Sequence, residues 1–534
     1  MGVLVCLLGF PPLAEGQNEA AVELRKELDA LRGDYERRID QLELRIRELE
    51  GQPAPAKPKP RRPAPAVAKP VEPAPVVDAN RARRAIDNRF REDTEIRDLA
   101  RRQDEDNLLA ERIENIVEGY IDITGYFRAG YGRSDEGGPQ QAFGIPGVAK
   151  YRLGNEAENY GELAFAKTFY PAGAFGGGAG GAESGPVARV NYRLSFFNPY
   201  ADYGSAAGTD YSTPEIWASL ANVVPGQPEA KIWAGNRFYR RHDIHINDYY
   251  FWDMSGGGAG VEDLELGNGK LAVAWIGDGA ESAIYSSLGR PDPLNVAGFS
   301  KANFDFRYYD WPLLGGTGEV GLIYASANSG ADSKGRQAED SDGFALSVVR
   351  TDEEFLDKNS LHKTSLQIGN GPAKTFNSGF ETFDDGTGSY ISPDSNESWR
   401  FRATDQIVIK PTEDFSIGSA LVYQYTDTGD GRPSHEWVSA GLRPIWHITD
   451  VFSLAFEGGF DWVSGTPGGS GGSLGKLTLA PQVALGDEFL SRPVLRAFVT
   501  YAMWGNGLQG EVGGPDYSLR DSGWTWGVQM ESWW

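Results

Sequence analysis

The 534-residue chain has one cysteine, Cys6, five histidines and four methionines. One cysteine rules out an intrachain disulfide framework and a cysteine-rich metal site. The five histidines form no evident triad with a serine, so an outer-membrane hydrolase, the enzymatic alternative, has little to stand on. No stretch of about 18 apolar residues occurs, which excludes a membrane-spanning helix. It does not exclude a transmembrane barrel, whose strands are short and apolar on one side only. Basic charge is scarce too: 51 Lys and Arg face 75 Asp and Glu, a net −24. Residues 1–118 hold 21 basic and 24 acidic side chains, so −3 of that total lies there and −21 in residues 119–534. Such acidity argues against nucleic acid as a partner, because phosphates need basic surface.

What the chain does have changes character along its length. "GVLVCLLGF" is a short apolar stretch ending near "LAEG", and Ala14 and Gly16 fit the small-residue positions of a signal-peptidase site. This predicts a signal peptide over 1–16, a start at Gln17 and export. Val5 is not the small residue that precedes a lipoprotein cysteine, and a mature chain without cysteine suits an oxidising compartment. In residues 17–50, Ala21, Leu28, Tyr35, Leu42 and Leu49 recur every seven positions, with Leu24 and Leu31 on the second seam and Ile39 and Ile46 one residue later. That spacing predicts an α-helical coiled coil that self-associates, rather than a lone amphipathic helix. Residues 51–80 are rich in Pro, Ala and Lys and form neither helix nor sheet, giving a semi-rigid spacer. Between 52 and 70 the spacer is purely basic, either a solvated linker or an arm that touches an anionic cell wall such as peptidoglycan. Residues 81–118 read as a charged helical connector.

From residue 119 the period becomes two. In "YIDITGYFRAGYG", Ile121, Ile123, Phe127, Ala129 and Tyr131 share one face; Asp122, Thr124, Tyr126 and Arg128 share the other. In "DVFSLAFEGGFDWV", Phe452, Leu454, Phe456, Phe460 and Trp462 oppose Ser453, Glu457 and Asp461. The closing "GWTWGVQMESWW" puts Trp524, Trp526, Val528, Met530 and Trp534 opposite Thr525, Gln529, Glu531 and Trp533. Glycine-rich turns separate these segments, and no helical run is available to cover them. A soluble core would not bury so many charges, so water lies on the polar side and lipid on the other. Residues 119–534 are therefore expected to form one closed antiparallel β-barrel without sheet edges. Trp534 would join the aromatic belt at the membrane boundary, while Trp533 would point into the bore.

Two local motifs carry little weight. "GGGAGG" at 176–181 satisfies a nucleotide-binding glycine pattern but opens no helix. His242, Asp243 and His245 in "HDIH" suggest a metal only weakly, for want of a further ligand cluster. Lumenal rings beside charged groups, as in "ENYGELAF", suit a sugar, which has an apolar face and a rim of hydroxyls. The plainer alternative is charged decoration of a water channel.

"GYFRAGYG", "KYRLGNEAENYGEL", "IWAGNRFYRRHDIHINDYYFWDMSGGGAG", "AGLRPIW", "LSRPVLRAFVTYA" and "WTWGVQMESWW" occur in order across this region. On these stretches residues 119–534 resemble the maltoporin (LamB-type) family of sugar porins, and the N-terminal coiled coil resembles the extension of sucrose porins. The resemblance implies a homotrimeric, 18-stranded outer-membrane barrel among lipid and lipopolysaccharide, with a constricting third loop and an N-terminal extension in the periplasm. It implies passive, facilitated diffusion of mono-, di- and oligosaccharides, without catalysis, cofactor or metal. Tyr126, Tyr160 and Trp533 fall on positions of the family's aromatic slide, as do Leu361 and Leu490, where the family has aromatics. Arg128, Arg152, Glu162, Arg241, Asp248 and Tyr250 fall on its polar track, "RRHDIHINDYY" being the constriction region. A ring lent by a neighbouring subunit has only Tyr203 or Tyr211 as a substitute, one track arginine becomes Pro214, and Ala142 and Ala157 replace two cysteines bonded in the family. Two or three missing rings, at about 1 kcal/mol each, would weaken sugar binding ~10- to 100-fold. A general porin of low selectivity and an outer membrane–cell wall tether are the alternatives.

Overall fold

Strand begins at Asp122, where the alternation begins. The structure is a computed structural model that describes residues 121–534 except 170–184, 199–208, 280–299, 329, 332–336, 339, 357–359, 380–381, 385–388, 392–395, 430–433 and 466–470. The segments expected over 1–118, the glycine tract at 176–181 and Tyr203 lie outside the described residues.

The strands are β1 (Asp122–Ser134), β2 (Asn159–Phe169), β3 (Val187–Asn198), β4 (Asp210–Ala221), β5 (Lys231–Arg237) and β6 (Gly256–Leu266). Next come β7 (Gly269–Gly279), β8 (Ser300–Leu313), β9 (Gly316–Ala327), β10 (Ser341–Asp352), β11 (Leu361–Asn370) and β12 (Trp399–Thr412). The last six are β13 (Phe415–Asp427), β14 (His435–His447), β15 (Phe452–Val463), β16 (Gly472–Ala484), β17 (Val494–Trp504) and β18 (Ser522–Trp533). Each pairs antiparallel with the next, and β18 returns to β1 with Trp533 opposite Tyr126. The result is a closed 18-stranded barrel, as the resemblance implied. Among the described residues, closure leaves the 18-stranded sheet without a free edge strand.

The two faces separate as the sequence pattern requires. Along β18, Trp524, Trp526, Val528 and Met530 are exposed on the outside, while Thr525, Gln529, Glu531 and Trp533 are buried inside. On β15 Phe452, Phe456 and Phe460 face out; Ser453, Glu457 and Asp461 face in. Outward rings pair near the long-loop end: Trp399 with Tyr425 at 5.0 Å and Tyr501 with Trp524 at 4.7 Å. At the other end Trp534, 48 % exposed, stacks on Phe127 at 5.3 Å, on the outer wall as expected of a belt residue.

Turns at that end are mostly short. The β8–β9 turn places Leu314 and Gly315 at φ 49° and 87°, the consecutive positive values of a tight hairpin. The connections at the opposite end are longer, and among the described residues the first, third and sixth fold inward. The first (135–158) drops Tyr151 onto the glycine pair Gly441 and Gly459 of β14 and β15, where any Cβ would overlap its ring. The third (238–255) is a small hairpin, His242–Ile244 with Tyr249–Trp252, around the 3-10 turn His245–Asn247. The sixth contributes a 3-10 turn, Gly371–Thr375, held by the Lys301 ammonium, which donates to Thr375 Oγ1 at 2.9 Å and to the Gly379 carbonyl at 2.9 Å. The third and sixth loops clasp each other: the Asp253 N–H donates to the Phe376 carbonyl at 3.0 Å, and the Ser378 N–H to the Asp253 carbonyl at 3.1 Å.

Candidate functional site in the barrel interior

Closure of the sheet builds the first part of the site. Because Tyr126 is opposite Trp533, and Arg128 opposite Tyr160, inward positions of β18, β1 and β2 stand side by side. The Tyr126 and Trp533 rings lie 6.4 Å apart and 16° from parallel; Tyr126 and Tyr160 are 5.8 Å apart and tilted by 53°. All three rings are buried, at 1 %, 9 % and 0 % exposure for Tyr126, Trp533 and Tyr160. Guanidiniums flank them, Arg492 at 4.1 Å from the Trp533 ring and Arg128 at 4.9 Å from that of Tyr160.

Around this column runs a continuous network of charge. Tyr126 Oη donates to Glu531 at 3.1 Å and accepts from Arg152 at 2.9 Å. Glu531 also pairs with Arg152 at 3.1 Å, Arg492 at 2.7 Å and Arg496 at 3.0 Å. Arg128 pairs with Glu158 at 2.9 Å, and Arg152 with Glu156 at 3.1 Å. Tyr160 Oη donates to Glu162, whose other oxygen takes Arg193 at 2.6 Å. Buried charges survive when paired and hydrogen-bonded in this way. Burial alone would raise the Glu156 carboxyl, but the Arg128 and Arg152 guanidiniums outweigh it and hold it below the usual range.

The third loop reaches across to this column. Its turn is pinned by the Arg152 N–H donating to the Ile246 carbonyl at 3.0 Å, and His245 meets the Trp533 ring edge-on at 5.9 Å. Arg152 Nη1 lies 3.3 Å from His245 Nδ1, and since guanidinium only donates, that nitrogen accepts. Burial, then the Arg152 charge, pushes the His245 imidazole well below its usual value, which keeps it neutral. Farther along, Tyr249 donates to Gln424 at 3.2 Å and meets Trp437 edge-on at 4.8 Å.

Tyr126, Tyr160, Trp533, Arg128, Arg152 and Glu162 thus converge. Asp248, in the left-handed region at φ 55°, adds negative charge beside Arg152. Arg241 and Tyr250 form a separate group, with the Arg241 guanidinium 3.8 Å from Phe238 and 5.0 Å from Tyr250. Leu361 is buried on β11, away from the column, and Leu490 is buried in the β16–β17 turn, two residues before Arg492. Tyr211 is 70 % exposed at the start of β4, and Pro214 lies farther along that strand. In "HDIH" the two imidazoles turn to different partners, His242 to Glu319 at 3.1 Å and His245 to Arg152.

Several members of the site were not singled out in the sequence. Glu531 is its hub, and its inward parity beside Trp533 was the available signal; the same parity applies to Arg496 and Trp437. Phe489 and Arg492 sit in a turn, where no periodicity points inward.

An antiparallel barrel with a greasy outer band, a charged interior and loops folded inside has the build of a porin-type channel of the outer membrane. The family model "LamB porin" matches residues 121–534, and the chain belongs to the LamB porin family. Among solved structures, OprB of Pseudomonas putida at high pH is 9 % identical over 80 % of this chain and 97 % of its own, with a TM-score of 0.41. OmpF of Salmonella typhi in complex with daunomycin is 9 % identical over 78 % and 98 %, with a TM-score of 0.39. An anion-selective porin of Comamonas acidovorans is 12 % identical over 77 % and 99 %, with a TM-score of 0.36. At such values these three add no functional argument.

Proposed function

We propose that the channel carries sugars by passive, saturable diffusion, and that Trp533, Tyr126 and Tyr160 form the slide on which they move. The observation that carries this reading is the column of three inward rings bordered by Arg128, Arg152, Arg492, Glu162 and Glu531. A pyranose offers an apolar face to a ring and hydroxyls to the ions beside it. Each contact is modest, so a sugar is held and then passed on, as conduction requires. Because the three rings are buried, a sugar reaches them only as neighbouring side chains give way. Arg241, Asp248 and Tyr250 supply further polar contacts at the constriction, with Leu361 and Leu490 as the apolar, ring-free ends of the path.

The assembly is a homotrimer in outer-membrane lipid and lipopolysaccharide. Residues 1–16 direct export, the 17–50 coiled coil reinforces three-fold association in the periplasm, and 51–80 and 81–118 join it to the barrel. The basic stretch 52–70 is either a plain spacer or a contact to peptidoglycan; deleting residues 18–80 and finding envelope attachment unchanged removes the tethering role. Liposome swelling with sugars of graded size tests the main reading. Rates that depart from size order, with sugar blockade of ion current, support it; rates set by size alone favour a general porin.

A further inference from the structure

We infer that Asn247, at the tip of the third loop, binds a vicinal pair of sugar hydroxyls. This rests on the sugar-channel reading above and adds a residue that determines which solutes are held. Asn247 is fully buried, and both its amide nitrogen and its amide oxygen lack a hydrogen-bond partner. Buried polar atoms are nearly always paired, so a side chain with both ends unpaired calls for an explanation. An amide is also an unfavourable choice for filling space, since leucine has nearly its shape and no polar atoms to desolvate.

The side chain has little freedom to find a partner within the protein. Its turn is fixed on one side by the Ile246 carbonyl, which accepts from the Arg152 N–H at 3.0 Å and from Arg443 Nη2 at 3.5 Å. On the other side the left-handed Asp248 ends the turn, and the turn packs on β13 and β14. Other unpaired donors lie close in the chain or in space. The Trp533 Nε1–H is buried and unpaired, with that ring against His245, two residues before Asn247. Arg241 Nε and Nη1, on the same loop, are unpaired as well.

The chemistry selects the ligand class. A carboxylate or phosphate only accepts and would leave the Asn247 oxygen unmatched; an ammonium only donates and would leave the nitrogen unmatched. Two adjacent hydroxyls do both, one donating to Oδ1 while the other accepts from Nδ2–H. A neutral polyol is therefore the fit.

The test compares the full-length wild type with Asn247→Leu, and with Asn247→Ala if the leucine variant fails to assemble. Block of ion current in planar bilayers is titrated with sucrose, maltose and raffinose, and thermal unfolding is followed without sugar. The expected result is blockade at least about tenfold weaker (roughly 1.4 kcal/mol) and a higher unfolding midpoint for Asn247→Leu. Blockade equal to wild type, or a lower midpoint because an ordered water pairs the amide, overturns the inference and leaves the sugar reading standing. Failure of all three sugars to block even the wild type overturns the sugar reading, and the inference with it.

Discussion

The Trp533 indole lies within 16° of parallel to the Tyr126 ring at 6.4 Å, although the two residues come from the last and first strands of the barrel. Only closure of the sheet brings them together. The aromatic column and the arginines beside it depend on that one seam.

Removing one ring should weaken the path without closing it. Trp533→Ala, or Tyr160→Ala, is expected to weaken sugar blockade of current about fivefold, from an aromatic contact of roughly 1 kcal/mol beyond its buried area. Ion conductance should stay close to wild type. An unchanged sugar binding constant in both variants would remove these rings from the path.

Glu531 is the countercharge of Arg152, Arg492 and Arg496. Glu531→Gln leaves three buried guanidiniums with less compensation, and breaking a buried pair from one side costs about 3–5 kcal/mol. Thermal unfolding in detergent should show a clear loss of stability. Where the variant still forms channels, the reversal potential in a salt gradient should shift toward anions.

The slot for Tyr151 is made by two glycines facing each other across β14 and β15. Gly459→Val fills it, displaces the ring from its hydrogen bond with Ser439 (2.9 Å) and loosens the first loop, which carries Arg152. Overpacking of this kind costs about 1–3 kcal/mol. Single-channel conductance should rise as the loop withdraws from the bore; a channel of unchanged conductance and stability would contradict this packing.

Acid should weaken the constriction through His245. Its folded value is pushed well below 6.5, so above that pH the imidazole is neutral whether the protein is folded or not, and stability does not depend on it. Below 6.5 the unfolded chain takes up a proton that the folded one refuses, and stability falls by up to about 1.4 kcal/mol per pH unit. Glu156, held below 4.5, adds a second loss at lower pH as it is protonated. Unfolding midpoints at pH 7.5 and 5.0 should diverge in the wild type and diverge less in His245→Gln.

The wall of the barrel was legible and its filling was not. Period-two alternation told inside from outside for β1, β15 and β18 residue by residue, because lipid and water impose it on every strand. The number of strands followed from the resemblance, and the structure agrees. Tyr126, Tyr160, Trp533, Arg128, Arg152 and Glu162 meet, since adjacent strands or the loop between them carry all of these residues. The fold of the loops had no such rule. Nothing in the sequence tells that Tyr151 rests on Gly441 and Gly459, that Lys301 grips the sixth loop, or that Phe489 turns inward beside Gly418. Those contacts join residues far apart in the chain, and loop sequences carry no periodic signal.

Sugar recognition in the barrel interior, proposed above, is open to a direct measurement. The purified full-length protein, reconstituted in planar bilayers and titrated with mono-, di- and oligosaccharides, tests it most directly. Saturable, concentration-dependent block by at least one of them is the predicted outcome. A conducting channel whose current ignores every sugar contradicts it.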